Sequence, residues 1–166
     1  MRPATILLSA ALLLMSAAPA AAVDGTSTTT VGVAASISLS GIPATISYGT
    51  NRVAGDTPTA PFTATVTTTN LLGYSLTVLT SDMTSEAGGT IAASATSYAV
   101  SSAATGFVTA CAVSCPVVDA STPVVLGTKP TSAIGGDAIS VTPKLTVPSV
   151  ASGTYTGTAV FTASTL

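Results

Sequence analysis

Histidine and tryptophan are both absent from this 166-residue chain. Without His there is no Ser-His-Asp or Cys-His nucleophile arrangement, and the commonest transition-metal ligand is missing. Without Trp the chain lacks the large ring that sugar-binding modules often stack on pyranose faces. Charge is nearly as scarce, with Asp, Glu, Lys and Arg together at 6%. Beyond residue 22 the basic residues are Arg52, Lys129 and Lys144. The acidic ones are Asp24, Asp56, Asp82, Glu86, Asp119 and Asp137, so three cations face six anions, a side-chain balance of −3. Neutralising phosphates takes a cluster of cations, so neither nucleic acid nor an anionic membrane surface is an expected partner. No Gly-rich loop leads into a Lys and a Ser or Thr, which removes the common phosphate cradle. Helical periodicity is missing as well.

What is present begins with a leader. Arg2 supplies a short positive region, and residues 6–15, "ILLSAALLLM", form a ten-residue apolar run too short to span a bilayer. "SAAPAAA", residues 16–22, follows with small residues suited to cleavage. We expect a secretory signal peptide over 1–22, cut after Ala22, then a flexible stub over 23–30, "VDGTSTTT", and one domain over 31–166. No apolar stretch remains for an integral membrane segment after cleavage, and no Leu-Pro-x-Thr-Gly sorting motif occurs.

Hydrophobic residues make up 47% of the chain, too many for a disordered polypeptide of low charge. The polar surface must come from hydroxyls. Beyond residue 22 there are 30 Thr and 19 Ser. Thr is β-branched and suits either face of a sheet, so these numbers point to an extracellular β-protein.

Cys111 and Cys115 are the two cysteines, in "CAVSCP". In an oxidising compartment a disulfide is the default. An extended segment would hold their Cα atoms about 13 Å apart, well outside bridging range. A turn through residues 112–114 is therefore required. Such a loop is a local clip, worth roughly 2 kcal/mol by chain-entropy bookkeeping.

Alternation of apolar and polar residues dominates the rest. It predicts a strand with Val31, Val33, Ala35, Ile37 and Leu39 inward, and a short strand over 44–49. Phe62, Ala64, Val66 and Thr68 alternate, then "NLLG" intervenes, and Tyr74, Leu76 and Val78 resume, which reads as a hairpin. Met83 is expected at the core edge. After a flexible start at Gly88-Gly89 and then Ile91, weaker strands are predicted around Tyr98 and Val100, and over 124–126. Ile139, Val141, Pro143, Leu145 and Val147 alternate again, and Pro143, lacking an N–H, predicts an edge or bulged strand. In the closing strand Tyr155, Gly157, Ala159 and Phe161 share a face, and Gly157 marks a bulge or a close backbone approach. Seven to nine short strands with frequent turn signals predict an all-β, immunoglobulin-like or related antiparallel sandwich, and spacing alone leaves a closed barrel open.

Candidate chemistry is thin. A glycosidase needs two carboxylates facing across a pocket, and Asp82 and Glu86 are the nearest pair in sequence. "SDMTSEAGG" reads first as a solvated turn, and second as a weak calcium loop using Ser and Thr oxygens. Two thiols without His make a poor zinc site. No catalytic, cofactor-binding or metal-binding residue is assigned, and no cofactor is expected. Among the aromatics, Tyr48 and Tyr98 are expected to be exposed and are the candidate contacts for a ligand such as a glycan.

Three segments carry a family resemblance. "FTATVTTTNLLGYSLTVL" resembles the strand, asparagine turn and Gly-Tyr strand of secreted bacterial surface proteins of the WxL type. "GTIAASATSYAV" resembles the segment those proteins place next, and "ISVTPKLTVPSVASGTYTGTAVFTAS" resembles their closing hairpin, across roughly residues 31–164. Spore-coat and pilus-like sandwiches share a similar "GTY" ending. Neither Trp-x-Leu signature is present, and Phe161 in "VFTAS" stands where the terminal aromatic is expected. The resemblance implies a non-enzymatic β-sandwich associated noncovalently with a Gram-positive cell wall. Three functions compete: a cell-surface or wall-associated structural protein, a module binding a glycan or wall polymer, and a subunit that assembles with itself or other surface proteins through sheet edges.

Overall fold

Thr and Val at every second position favour extended backbone, because a branched Cβ packs well on a pleated surface. In the computed structural model, which describes residues 30–31 and 34–166, that preference is realised almost throughout. The strands are β1 (Ile37–Ser40), β2 (Phe62–Thr68), β3 (Tyr74–Thr80), β4 (Met83–Thr84), β5 (Thr90–Ile91), β6 (Thr96–Ser102), β7 (Val108–Thr109), β8 (Cys115–Pro116), β9 (Val124–Lys129), β10 (Ala133–Leu145) and β11 (Ala159–Thr165). A single 3-10 turn, Ala93–Ala95, precedes β6. The leader expected over 1–22, and all of the stub at 23–30 but its last residue, lie outside the described residues.

One sheet has the order β1-β2-β10-β6-β8, a second has β11-β3-β9-β7, and β4 and β5 form a separate ribbon. Every pair is antiparallel. The two larger sheets pack as a sandwich of nine strands, as the alternation predicts. Its core takes Ala64, Val66, Ile139, Val141, Tyr98 and Val100 from the first sheet and Tyr74, Leu76, Val78 and Leu126 from the second, all essentially without solvent contact. Each fully buried aliphatic or aromatic side chain contributes roughly 1.5–3 kcal/mol. A smaller cluster of Met83, Ile91, Leu145 and Val147 closes one end, flanked by Tyr48, Ala95 and Tyr155. Met83 thus occupies the core edge as expected.

Several local expectations are corrected. β2 and β3 do not form a hairpin. They belong to opposite sheets, and residues 69–73 arch between them. Alternation reports which face of a strand is buried, and these two strands turn their buried faces toward each other across the core. Gly73 N–H donates to the Asn70 carbonyl at 3.1 Å, while Asn70 Nδ2 donates to the carbonyls of Gly73 at 2.9 Å and Leu166 at 3.1 Å. Gly73 has φ +87°, and a Cβ there would collide with the Lys129 carbonyl, so this arch requires glycine.

The first strand begins only at Ile37; Val31, Ala34 and Ala35 are exposed, and Gly32 and Val33 lie outside the described residues. Residues 44–49 form no strand. Ile46 and Tyr48 keep a half-buried face there without ladder pairing among the described residues. Pro143 sits in β10, an interior strand between β2 and β6, and the bulge in that strand lies between Ala133 and Asp137. An interior Pro is tolerated because the β2 ladder ends at Val141↔Phe62. The Pro143 carbonyl accepts from Ala60 N–H at 3.1 Å, so its missing donor costs one bond at the margin of the ladder.

The closing segment fits more closely. β11 pairs with β3 over its whole length, at the edge of the second sheet. Phe161 meets Phe62 and Tyr98 edge-on, with ring centroids 5.4 Å and 6.0 Å apart. Gly157 makes the predicted close approach: a Cβ there would lie 2.8 Å from the Asp82 carbonyl oxygen.

Candidate functional surface

Strand alternation that buries one row of side chains must expose the other. On the outer face of the five-stranded sheet that second row is mostly hydroxyl, interrupted by Ala99 and Ala138. β2 contributes Thr63, Thr65 and Thr67, β1 contributes Ser38 and Ser40, β10 contributes Ser140 and Thr142, and β6 contributes Ser97 and Ser101. The register sets them side by side: Ser38 opposes Thr67, Ser40 opposes Thr65, Thr63 opposes Ser140, and Ser140 opposes Ser101. Directly opposed positions are about 5 Å apart. Each hydroxyl offers one donor and two acceptor positions. Lys144 is the one charged side chain in this array. Chemically the face is a hydrogen-bonding array with a single cation, suited to water or to a polyhydroxylated polymer.

The end closed by the β4–β5 ribbon carries two shallow depressions. One is lined by Thr90, Ala92, Ser94, Ala95, Thr146, Pro148 and Val150, and the other by Thr84, Ser85, Glu86, Ala87, Gly153, Thr154 and Thr156. Glu86 is the only ionisable group in either lining.

The structure does not bring Asp82 and Glu86 into one site. Asp82 Oδ1 accepts the Ala93 N–H at 2.7 Å and so anchors the chain entering β6, whereas Glu86 lies in the second depression. Among the described residues no three His, Cys, Asp or Glu side chains gather as metal ligands. Asp119 is likewise occupied locally. Hydrogen bonds from the Ser121 hydroxyl and N–H, and from Thr122, hold its carboxyl down to about 2.

Cys111 and Cys115 form the expected disulfide, with Cα atoms 5.1 Å apart and Cys111 buried. Tyr48 is half-buried against the smaller core cluster, and burial raises its phenol above the usual value. Tyr98, expected to be exposed, is corrected by the structure: it is 1% exposed, and its hydroxyl shares a 2.8 Å hydrogen bond with Thr80 Oγ1 from the opposite sheet. Its ring faces inward because Tyr98 has the same parity in β6 as Val100, and a buried partner for the hydroxyl makes that position tolerable. Burial also pushes the Tyr98 phenol up.

One buried cluster has no counterpart among the sequence expectations. Lys129 Nζ and Asp137 Oδ1 form an ion pair at 2.9 Å, and the Tyr74 hydroxyl donates to Asp137 Oδ2 at 2.9 Å. Lys129 stands in the Gly- and Pro-rich stretch "LGTKPTSAIGGD", whose turn residues hide the inward parity of both charged groups. A buried Lys and Asp are each costly to desolvate, so the pairing and the phenol bond are what make the site possible.

No family model, no curated protein and no solved structure matches this chain.

Proposed function

We propose that this chain is a non-enzymatic, secreted structural protein of a bacterial cell surface or wall, with the sandwich serving as a stable block. The observation that supports this reading is the hydroxyl lattice on the five-stranded sheet, joined to a leader-like N-terminus and a disulfide. A hydroxyl-rich face with one cation stays hydrated with few counter-ions, so its contacts with a wall depend only weakly on ionic strength. The resemblance to WxL-type surface proteins points the same way.

The lattice also favours a second reading, a binding module for a glycan or wall polymer. Regularly spaced hydroxyls can exchange hydrogen bonds with sugar hydroxyls at little desolvation cost. One experiment separates the two. The producing cell is fractionated into medium, wall and membrane, and the purified mature protein is titrated onto isolated wall. Saturable binding that is lost in a Thr63→Glu/Thr65→Glu variant favours the module. Wall recovery without saturable binding favours the structural block. Concentration-dependent high-mass species would favour a self-assembling subunit instead, and recovery in the membrane fraction would refute all three.

A further inference from the structure

Three strands converge on the buried charged cluster. Tyr74, the first residue of β3, and Lys129, the last of β9, are directly opposed partners in the four-stranded sheet. Asp137 comes from β10 in the other sheet. The β10 bulge places it: four steps along β10, from Ala133 to Asp137, match two along β2, from Thr68 to Val66, with Gly136 at φ +80°. The side chains of Lys129 and Asp137 are 10% and 9% exposed. A chain with three cations beyond its leader buries one of them against a carboxylate, across the gap between its sheets.

We propose that Lys129 and Asp137 condense after folding into an amide between Nζ and Cγ, which covalently staples the two sheets. The step balances without any co-reactant. The proton of the ion pair passes from Nζ to Oδ1, giving a neutral amine and a neutral acid with no change in net charge. A site with little water favours this neutral pair over separated charges. The Nζ lone pair then attacks Cγ, and the carbonyl electron pair moves onto Oδ2. The Tyr74 hydroxyl already donates to that oxygen and stabilises the charge that develops there. When the carbonyl re-forms, the Cγ–Oδ1 bond breaks. Oδ1 leaves as water, carrying its own proton and one from Nζ. An ammonium and a carboxylate become an amide and one water.

Condensation is unfavourable between free ions in water, but here the partners are already in contact. Effective molarities of roughly 10⁵ M or more are available to a well-oriented intramolecular pair. Tyr74 is the catalytic residue of this step, because its hydroxyl touches the reacting carboxyl.

The test is the intact mass of the purified full-length mature protein. The expected result is a deficit of one water, about 18 Da, beyond the hydrogens lost to the disulfide. Tandem spectra should then lack backbone fragments between residues 129 and 137, since a closed loop needs two breaks. Lys129→Arg, which keeps the charge, should restore the full mass. It also excludes a cyclic imide at Asp137, which would lose the same mass with the lysine replaced. Tyr74→Phe should slow the loss after refolding by roughly 10²-fold. Full mass in folded wild-type protein after prolonged incubation at neutral pH would overturn the proposal, as would a water deficit that persists in Lys129→Arg.

Discussion

The hydrogen bond between Thr80 and Tyr98 offers a clean perturbation, because it joins the two sheets through two hydroxyls that have no other hydrogen-bond partner among the described residues. Tyr98→Phe removes one hydroxyl and Thr80→Val the other, and both changes keep shape nearly constant. The residues are 1% and 5% exposed, so in either single variant the surviving hydroxyl is stranded away from water. Leaving one buried polar group unpaired costs about 1–3 kcal/mol. Each single variant should therefore lose about 1.5–2 kcal/mol. The double variant leaves no orphan and should lose less than about 1 kcal/mol, giving a coupling energy of at least about 2 kcal/mol. Urea unfolding measures this directly. With a slope of about 1–3 kcal/mol/M, each single variant should lower the midpoint by roughly 0.5–2 M, and the double variant should recover most of that loss. If the double variant simply sums the two singles, the hydrogen bond is not the reason Tyr98 is accommodated, and the reasoning fails.

Ending the chain after Gly153 removes Tyr155 and all of β11, leaving β3 as an edge strand and the Phe62 and Tyr98 rings uncovered. The cooperative thermal transition should be lost in scanning calorimetry. Gly157→Ala places a Cβ 2.8 Å from the Asp82 carbonyl oxygen and 2.9 Å from Met83 Cγ, and should cost about 1–3 kcal/mol of stability, measured by urea unfolding. Replacing both cysteines by Ser opens a five-residue loop and should cost only about 2 kcal/mol, with the circular dichroism spectrum unchanged. Tyr48, Tyr74 and Tyr98 have phenols raised mainly by burial. Their neutral forms stabilise the fold fully below about pH 10, the unfolded value, and that stability is lost as pH rises above it. Phenolate absorbance from these three should appear only together with unfolding in an alkaline titration.

Much of the architecture is legible in the residues themselves. The inward rows of β2, β3 and β10 follow from a period of two, which is a local property of the pleat. The disulfide follows from two cysteines and a turn, and the close approach at Gly157 from a glycine among the alternating residues that lead into β11. The hydroxyl surface is implied by composition, since so few charges leave Ser and Thr to meet water. Its order as a lattice is not, because register depends on which strands pair.

The sequence by itself determined that this is an alternating, antiparallel β-protein and which faces of β2, β3 and the second half of β10 are buried. Only the tertiary structure decided the partners. Alternation is the same for two strands of one hairpin and for two strands facing each other across a core, so the Asn70–Gly73 turn carries no sign that β2 and β3 part company. Pro143 looks like an edge residue until the β2 ladder is seen to end beside it. Tyr98 looks available until Thr80 arrives from the other sheet. Tyr74, Lys129 and Asp137 are separated along the chain by loops and a bulge, and they meet because the two sheets stack. Each of these is a non-local contact, and no periodicity within a single segment encodes one.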